Sequence, residues 1–209
     1  MTQPVTATSE GASDEAPRNR GAESRDAILL AASQLFARHG YRGTSLASIA
    51  QAAGLSQPGL LHHFPSKHTL LLAVLAGRDS EDGRLSSPKL RDESLGIIDG
   101  LSTLVAYNES IPDQVRMFSM LLGESVAPDH PAHDYFVDRY ARIRSRFIRH
   151  LSAAQSQGKL DASADVGVLA NVLIAVLDGL QFQWLLDDSV DMTAGYALLA
   201  SLIRENLRR

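Results

Sequence analysis

The sequence predicts an all-α protein of about nine helices, a small N-terminal head on a larger helical body. Three observations predict it. Apolar residues recur at steps of three and four along the chain, and no stretch sustains the alternation of a strand. Glycines and prolines punctuate the periodic segments, at Gly40, Gly54, Pro65, Pro112, Pro128, Pro131 and Gly158. Charge is also divided unevenly: residues 24–78 hold five basic side chains and one acidic, and residues 79–209 hold 13 basic and 19 acidic.

Each element follows from local chemistry. Residues 1–23 are small and polar and bury too little apolar surface to offset their ordering entropy, so a disordered tail is expected there. The tail also lacks the apolar run of a signal peptide. The first helix is expected from Ser24, a capping residue, to His39 before Gly40, with Ile28, Leu29, Ala32, Leu35 and Phe36 on one face. A short helix follows Thr44-Ser45, and a second opens at Ser56 after Gly54-Leu55 and ends at Phe64-Pro65. Ser66 caps a fourth, which carries Leu70, Leu71, Val74 and Leu75 to about Arg78. The polar stretch 79–92 then marks a boundary, giving a tail (1–23), a head (24–78) and a body (79–209). Five body helices are expected near 93–109, 112–126, 131–157, 164–186 and 192–207. In the third of these, Phe136, Tyr140, Ile143, Phe147, Leu151 and Ala154 share one side, and Arg139, Arg142, Arg146 and Arg149 are expected as a solvated face.

Composition narrows the chemistry. There is no cysteine, so disulfides and thiolate metal sites are excluded, and a cytoplasmic location fits. The longest uncharged apolar stretch, Val166 to Leu177, ends at Asp178 and is shorter than a bilayer requires, so no membrane partner is expected. His130 and His133 stand three apart beside Asp129 and Asp134, a pattern that suits zinc or nickel. The same residues suit caps at the proline-marked helix start, so neither a metal nor a cofactor is expected. No nucleophile, base and orienting group come together, and Gly54-x-Ser56 has Pro58 where a hydrolase elbow needs glycine, so no enzyme is expected.

The informative stretch is Leu46 to His63, LASIAQAAGLSQPGLLHH. A helix-turn-helix crosses two short helices with almost no loop, which constrains particular positions. Ala50 is small at the crossing, Gly54 supplies the left-handed turn, and Ile49, Ala53, Leu55 and Leu60 form the apolar underside. Ser56 caps the second helix and Pro58 sits in its first turn, where a missing N–H costs little. A plain helical hairpin with the same glycine shares these features. In a helix-turn-helix, Gln57 is placed for bidentate hydrogen bonds to adenine, Gly59 for close backbone approach and Leu61 for a thymine methyl. His63 and Lys67 fall where phosphates pass.

Gly40-Tyr41-Arg42-Gly43-Thr44-Ser45, Ile49-Ala50, Ala53-Gly54, Ser56 and Leu60 with His63-Phe64-Pro65-Ser66-Lys67 together closely resemble the signature of the TetR family of bacterial transcription factors. The resemblance covers about Ser24 to Leu75. It implies a sequence-specific DNA-binding regulator in which Thr44 and Ser45 bond phosphate and Gln57, Pro58, Gly59, Leu61, His63 and Lys67 face DNA. The family usually has tyrosine where this chain has Leu61. The resemblance further implies a homodimer paired through its last two helices, a pseudo-palindromic duplex operator, and a body that holds an unidentified small-molecule ligand.

The body residues are compatible with those roles and with simpler ones. The 164–186 segment is apolar nearly all round, and Ala170, Ala175 and Gly179 would allow close helix approach across a dimer or inside one core. Tyr107, Met117, Met120, Leu121, Phe136, Tyr140, Phe147, Gln181 and Trp184 are candidate ligand-lining residues, with Glu124 as a polar anchor. The same spacing also suits core packing. A repressor released by its ligand is the expected function, with an activator, a small helical enzyme and a protein-interaction module as alternatives.

Overall fold

The computed structural model describes residues 15–86 and 96–206, and every regular element among them is a helix. The order is α1 (Glu15–His39), α2 (Leu46–Ala52), α3 (Gln57–His63), α4 (Lys67–Ser86), α5 (Gly96–Glu109), α6 (Pro112–Glu124), α7 (His133–Ser156), α8 (Val166–Leu186) and α9 (Met192–Asn206).

Two boundaries differ from expectation. The first is the start of α1, at Glu15 and not at Ser24, so residues 15–23 are helical and only residues 1–14 of the expected tail lie outside the described residues. The helix runs through residues 15–23 ahead of the serine although Pro17 and Gly21 lie within that stretch. The second is α4, which passes the expected boundary at Arg78 and ends at Ser86. One continuous helix therefore leads from head to body.

The core divides into two clusters. The first joins Ile28 and Phe36 of α1, Ile49 of α2, Leu60 of α3 and Leu70 and Leu75 of α4 to Met117, Phe118 and Leu121 of α6 and Phe136 of α7. The head thus rests on α6, whose most extensive packing is against α1. The second cluster holds Leu101 and Val105 of α5, Phe147 and Leu151 of α7, Leu173 of α8, and Met192, Tyr196 and Ile203 of α9. Burying side chains of this size stabilises by about 1.5–3 kcal/mol each.

Helix α8 reaches 21 residues with a mean hydropathy of 1.6, long and apolar enough to cross a bilayer. Its uncharged stretch ends at Asp178, and the helix continues through that residue to Leu186, close to the expected 164–186. It packs on α7 and α9. It still leaves Val168, Val172, Phe182 and Leu186 exposed, while α9 exposes Leu198 and Leu202. The close approach within the chain is at Gly195, where an added Cβ would stand 2.9 Å from Leu180 of α8. No neighbour lies within 4 Å of a Cβ built on Gly179.

Candidate nucleic-acid interface and body cavity

The two short helices are set by their caps. Ser45 caps α2, accepting the Ser48 N–H at 3.0 Å, and the Ser48 hydroxyl oxygen accepts the Ser45 N–H at 3.2 Å. Ser56 caps α3 by accepting the Gly59 N–H at 3.2 Å. Between them Gly54 takes φ +69°, and the Leu55 N–H closes the turn onto the Ala50 carbonyl at 2.9 Å. Ile49, Ala50 and Leu60 are buried beneath, and Phe64 closes the end of α3. The outer surface is left to Gln57 and Pro58, both exposed, and to the half-buried Gly59, Leu61 and His63. Ser45 is exposed at the start of α2.

Thr44 requires a correction. It is 4% exposed, and its hydroxyl lies 2.8 Å from the Gly40 carbonyl, to which it donates. Its N–H donates to the Tyr41 carbonyl. Thr44 closes the link between α1 and α2 and does not present a phosphate contact. Lys67 is half-buried, with its ammonium 4.2 Å from the centre of the Tyr41 ring. Burial pulls its pKa below the ordinary lysine value, and Glu124 opposes that shift.

Glu124 was expected to anchor a ligand and instead ties the head to α6. Its carboxylate accepts the Tyr41 N–H at 2.8 Å, and a Cβ at Gly40, where φ is +66°, would collide with it. His130 is buried beside it, with Nε2 3.5 Å from Glu124 Oε2. The His130 Nδ1 accepts the Ala132 N–H at 3.2 Å, and His133 Nδ1 lies 2.9 Å from the Ser125 carbonyl oxygen. Burial lowers the His130 pKa. Both imidazoles therefore work in the turn between α6 and α7, and Arg42 pairs with Asp129 at 2.9 Å on its surface.

Deeper in the body lies a cavity of about 850 Å³. Of the candidate ligand-lining residues, Tyr140, Phe147 and Gln181 line it. The other seven candidates do not. Met117, Leu121 and Phe136 are buried in the cluster under the head, Met120 is exposed, and Glu124 faces Tyr41. Tyr107 lies under the Arg78 guanidinium, and Trp184 packs against the second cluster. Met117, Leu121, Phe136 and Trp184 serve packing between helices.

The polar lining falls into three hydrogen-bonded groups. Arg78 donates to Asn108 at 2.6 Å, Asn108 donates to Gln181 at 3.3 Å, and Gln181 donates to Ser119 at 2.8 Å. Asp79 accepts from Tyr135 and from Arg139 at 2.6 Å each. The Arg139 guanidinium lies 4.5 Å from the centre of the Phe118 ring, so Arg139 is not the solvated residue expected from helical spacing. Tyr140 donates to Asp178 at 2.6 Å, and burial raises the pKa of both. Sequence spacing gave one hint of this network: Arg139 falls three residues after the core residue Phe136.

Comparison with known proteins agrees with this geometry. Residues 28–74 match the family model described as bacterial regulatory proteins of the tetR family, and residues 112–208 match that of the BetI-type transcriptional repressor C-terminal region. The HTH-type transcriptional repressor BepR of Brucella suis is 27% identical over 172 residues, 78% of this chain and 81% of that protein. The HTH-type transcriptional regulator RutR of Escherichia coli is 49% identical over 51 residues, 24% of each chain. A transcriptional regulator from Saccharomonospora viridis, solved in complex with choline, superposes with a TM-score of 0.72 at 25% identity, covering 89% of this chain and 98% of that one.

Proposed function

Because the chain belongs to the TetR family of bacterial regulatory proteins, we propose that it is a homodimeric repressor, released from its operator when a small molecule occupies the body cavity. The observation that carries this reading is a solvent-facing α3 joined to that cavity through α4, whose first residue is Lys67 and whose Arg78 and Asp79 line the chamber. A ligand that binds one arrangement of α4 more tightly shifts the population of head positions by its differential affinity alone. The repressor name of BepR and the bound choline of the Saccharomonospora regulator support repression and ligand control by analogy. The reading places the protein in the cytoplasm, where its DNA is.

Within the head we assign base readout to Gln57, Gly59 and Leu61, with Pro58 setting the start of α3 against the groove. Ser45, His63 and Lys67 are assigned to phosphates. For dimerisation, Val168, Val172, Ala175, Gly179, Phe182 and Leu186 follow one another at steps of four and three, an unpaired stripe along α8. Exposed Leu198 and Leu202 extend it onto α9. A second copy covering this stripe supplies the two-fold axis that a pseudo-palindromic operator requires.

Selection of duplexes from a randomised library, followed by footprinting and sedimentation, tests the reading. Two protected half-sites one helical turn or a multiple of it apart, bound by a dimer, are expected. A monomer in solution, or binding without sequence preference, would refute it.

A further inference from the structure

Among the described residues that line the cavity, two cations on α7 stand without an acid partner. Among the described lining residues are five arginines, at 78, 139, 142, 146 and 149, and two aspartates, at 79 and 178. Asp79 is already engaged by Arg139, and Arg142 stands 3.5 Å from it. Asp178 accepts from the neutral Tyr140 hydroxyl. Arg146 and Arg149 make no ion pair with an acid among the described residues, and they sit one helical turn apart on α7. Arg149 is exposed at the edge of the chamber and Arg146 is half-buried. Burial and the neighbouring Arg149 both lower the Arg146 pKa, as expected of a cation without a counter-charge. Burial, and after it Arg146 and Arg149, lower the pKa of the adjacent His150. Beside the polar Asn108, Ser145 and Gln181, much of the wall is apolar, with Leu101, Leu104, Val105, Ile143 and Leu177 among its residues.

We propose that this cavity takes an amphipathic organic anion, with its carboxylate on the Arg146 and Arg149 guanidinium groups and its apolar body along the leucine and valine wall of α5. The assignment rests on reading the cavity as the effector site. Guanidinium is planar and matches a carboxylate bidentately, and a hydrogen bond to a charged group is stronger than a neutral one. An apolar pocket with a few polar groups at one end fixes orientation while burial supplies most of the affinity. The opposite charge class is poorly served. A quaternary cation seeks aromatic faces and a free carboxylate. Here Arg139 already covers Phe118, and burial disfavours the charged form of Asp178.

The test uses three probes of equal chain length below their micelle-forming concentrations: decanoate, decan-1-ol and decyltrimethylammonium. Calorimetry on the full-length protein should show decanoate binding about tenfold or more tighter than the other two, since one charge-assisted hydrogen bond is enough for that ratio. Its affinity should fall with added salt. In the Arg146→Gln/Arg149→Gln double variant the decanoate-to-decanol ratio should collapse towards one. A ratio within one protein is insensitive to partial misfolding, and the wild-type series stands without any variant. No preference for decanoate, including the case in which none of the three binds, overturns the assignment, as does an unchanged ratio in the double variant. Operator release is read separately. Selective decanoate binding with the operator still held would refute the effector reading and leave the anion assignment standing. Release by decyltrimethylammonium instead would refute the anion assignment and leave the effector reading standing.

Discussion

Helix α3 and the body cavity use polar groups in opposite ways. On α3 the side chains of Gln57 and Pro58 point to solvent, and the structure beneath them is held by Leu60, Phe64 and the Ser56 cap. Around the cavity, Asn108 is bonded to Arg78 and Gln181, Asp79 to Arg139, and Tyr140 to Asp178, across helices that are far apart in sequence. A change on α3 should therefore alter what is read and leave the fold intact. A change around the cavity should strand a partner and destabilise the protein.

The largest expected effect joins the two regions. Gly179→Arg places a charged side chain on the exposed stripe of α8, open within one chain but covered in a dimer, with no acid provided for it. Sedimentation should show monomers or aggregates, and specific operator binding should be lost although residue 179 is far from α3 in sequence. A folded dimer with normal operator affinity would remove α8 from the interface.

The next test compares two glycines with the same backbone. Gly54→Ala and Gly40→Ala both force a left-handed alanine, at about 1–2 kcal/mol each. The Cβ at 54 meets nothing within 4 Å, whereas the Cβ at 40 meets the Glu124 carboxylate. Losing the Tyr41–Glu124 bond adds about 1–3 kcal/mol at position 40. Urea denaturation of both variants should rank Gly40→Ala as the more destabilised, and equal losses would mean that the head and α6 are not locked together.

Two smaller effects separate the regions directly. Asn108→Ala should lower stability by about 1–3 kcal/mol, because Gln181 loses a donor and Arg78 an acceptor inside the wall. Gln57→Ala should leave the melting temperature within about a degree of wild type. It should relax preference at one base per half-site, by about 1–3 kcal/mol there, in a randomised-operator selection. An unaltered preference would move readout to the α3 backbone, Leu61 or DNA shape.

The smallest effect concerns Lys67→Ala, which should flatten the dependence of log K on log salt by roughly one unit or less. With the ammonium over Tyr41, an unchanged slope would assign this lysine to the seam between head and body.

How much of this was legible in the sequence follows from the same contrast. Gly54, Ser56 and Pro58 act within a few residues of themselves, so capping and turn chemistry placed them correctly. Thr44 was misjudged because spacing gives a position along the chain and not the direction of a hydroxyl, which here turns inward to Gly40. Met117, Leu121 and Phe136 were assigned to the chamber because nothing local says that α6 packs on α1 and that the start of α7 joins the same cluster. Arg139 looked solvated because its partner, Asp79, is 60 residues away. Beyond the three-residue step from Phe136, a contact of that range leaves no periodic trace.

The interlock of Gly40, the Tyr41 N–H and Glu124 has a consequence for grafting. Although the head reads as a module, its seat is cut to one body. A chimera that transfers residues 24–78 to another helical body needs a carboxylate where the sixth helix of this chain ends, and a chimera that accepts this body needs glycine where the first helix stops. Such transplants should work in matched pairs, and a mismatched pair should be rescued by restoring one residue on the far side of the seam.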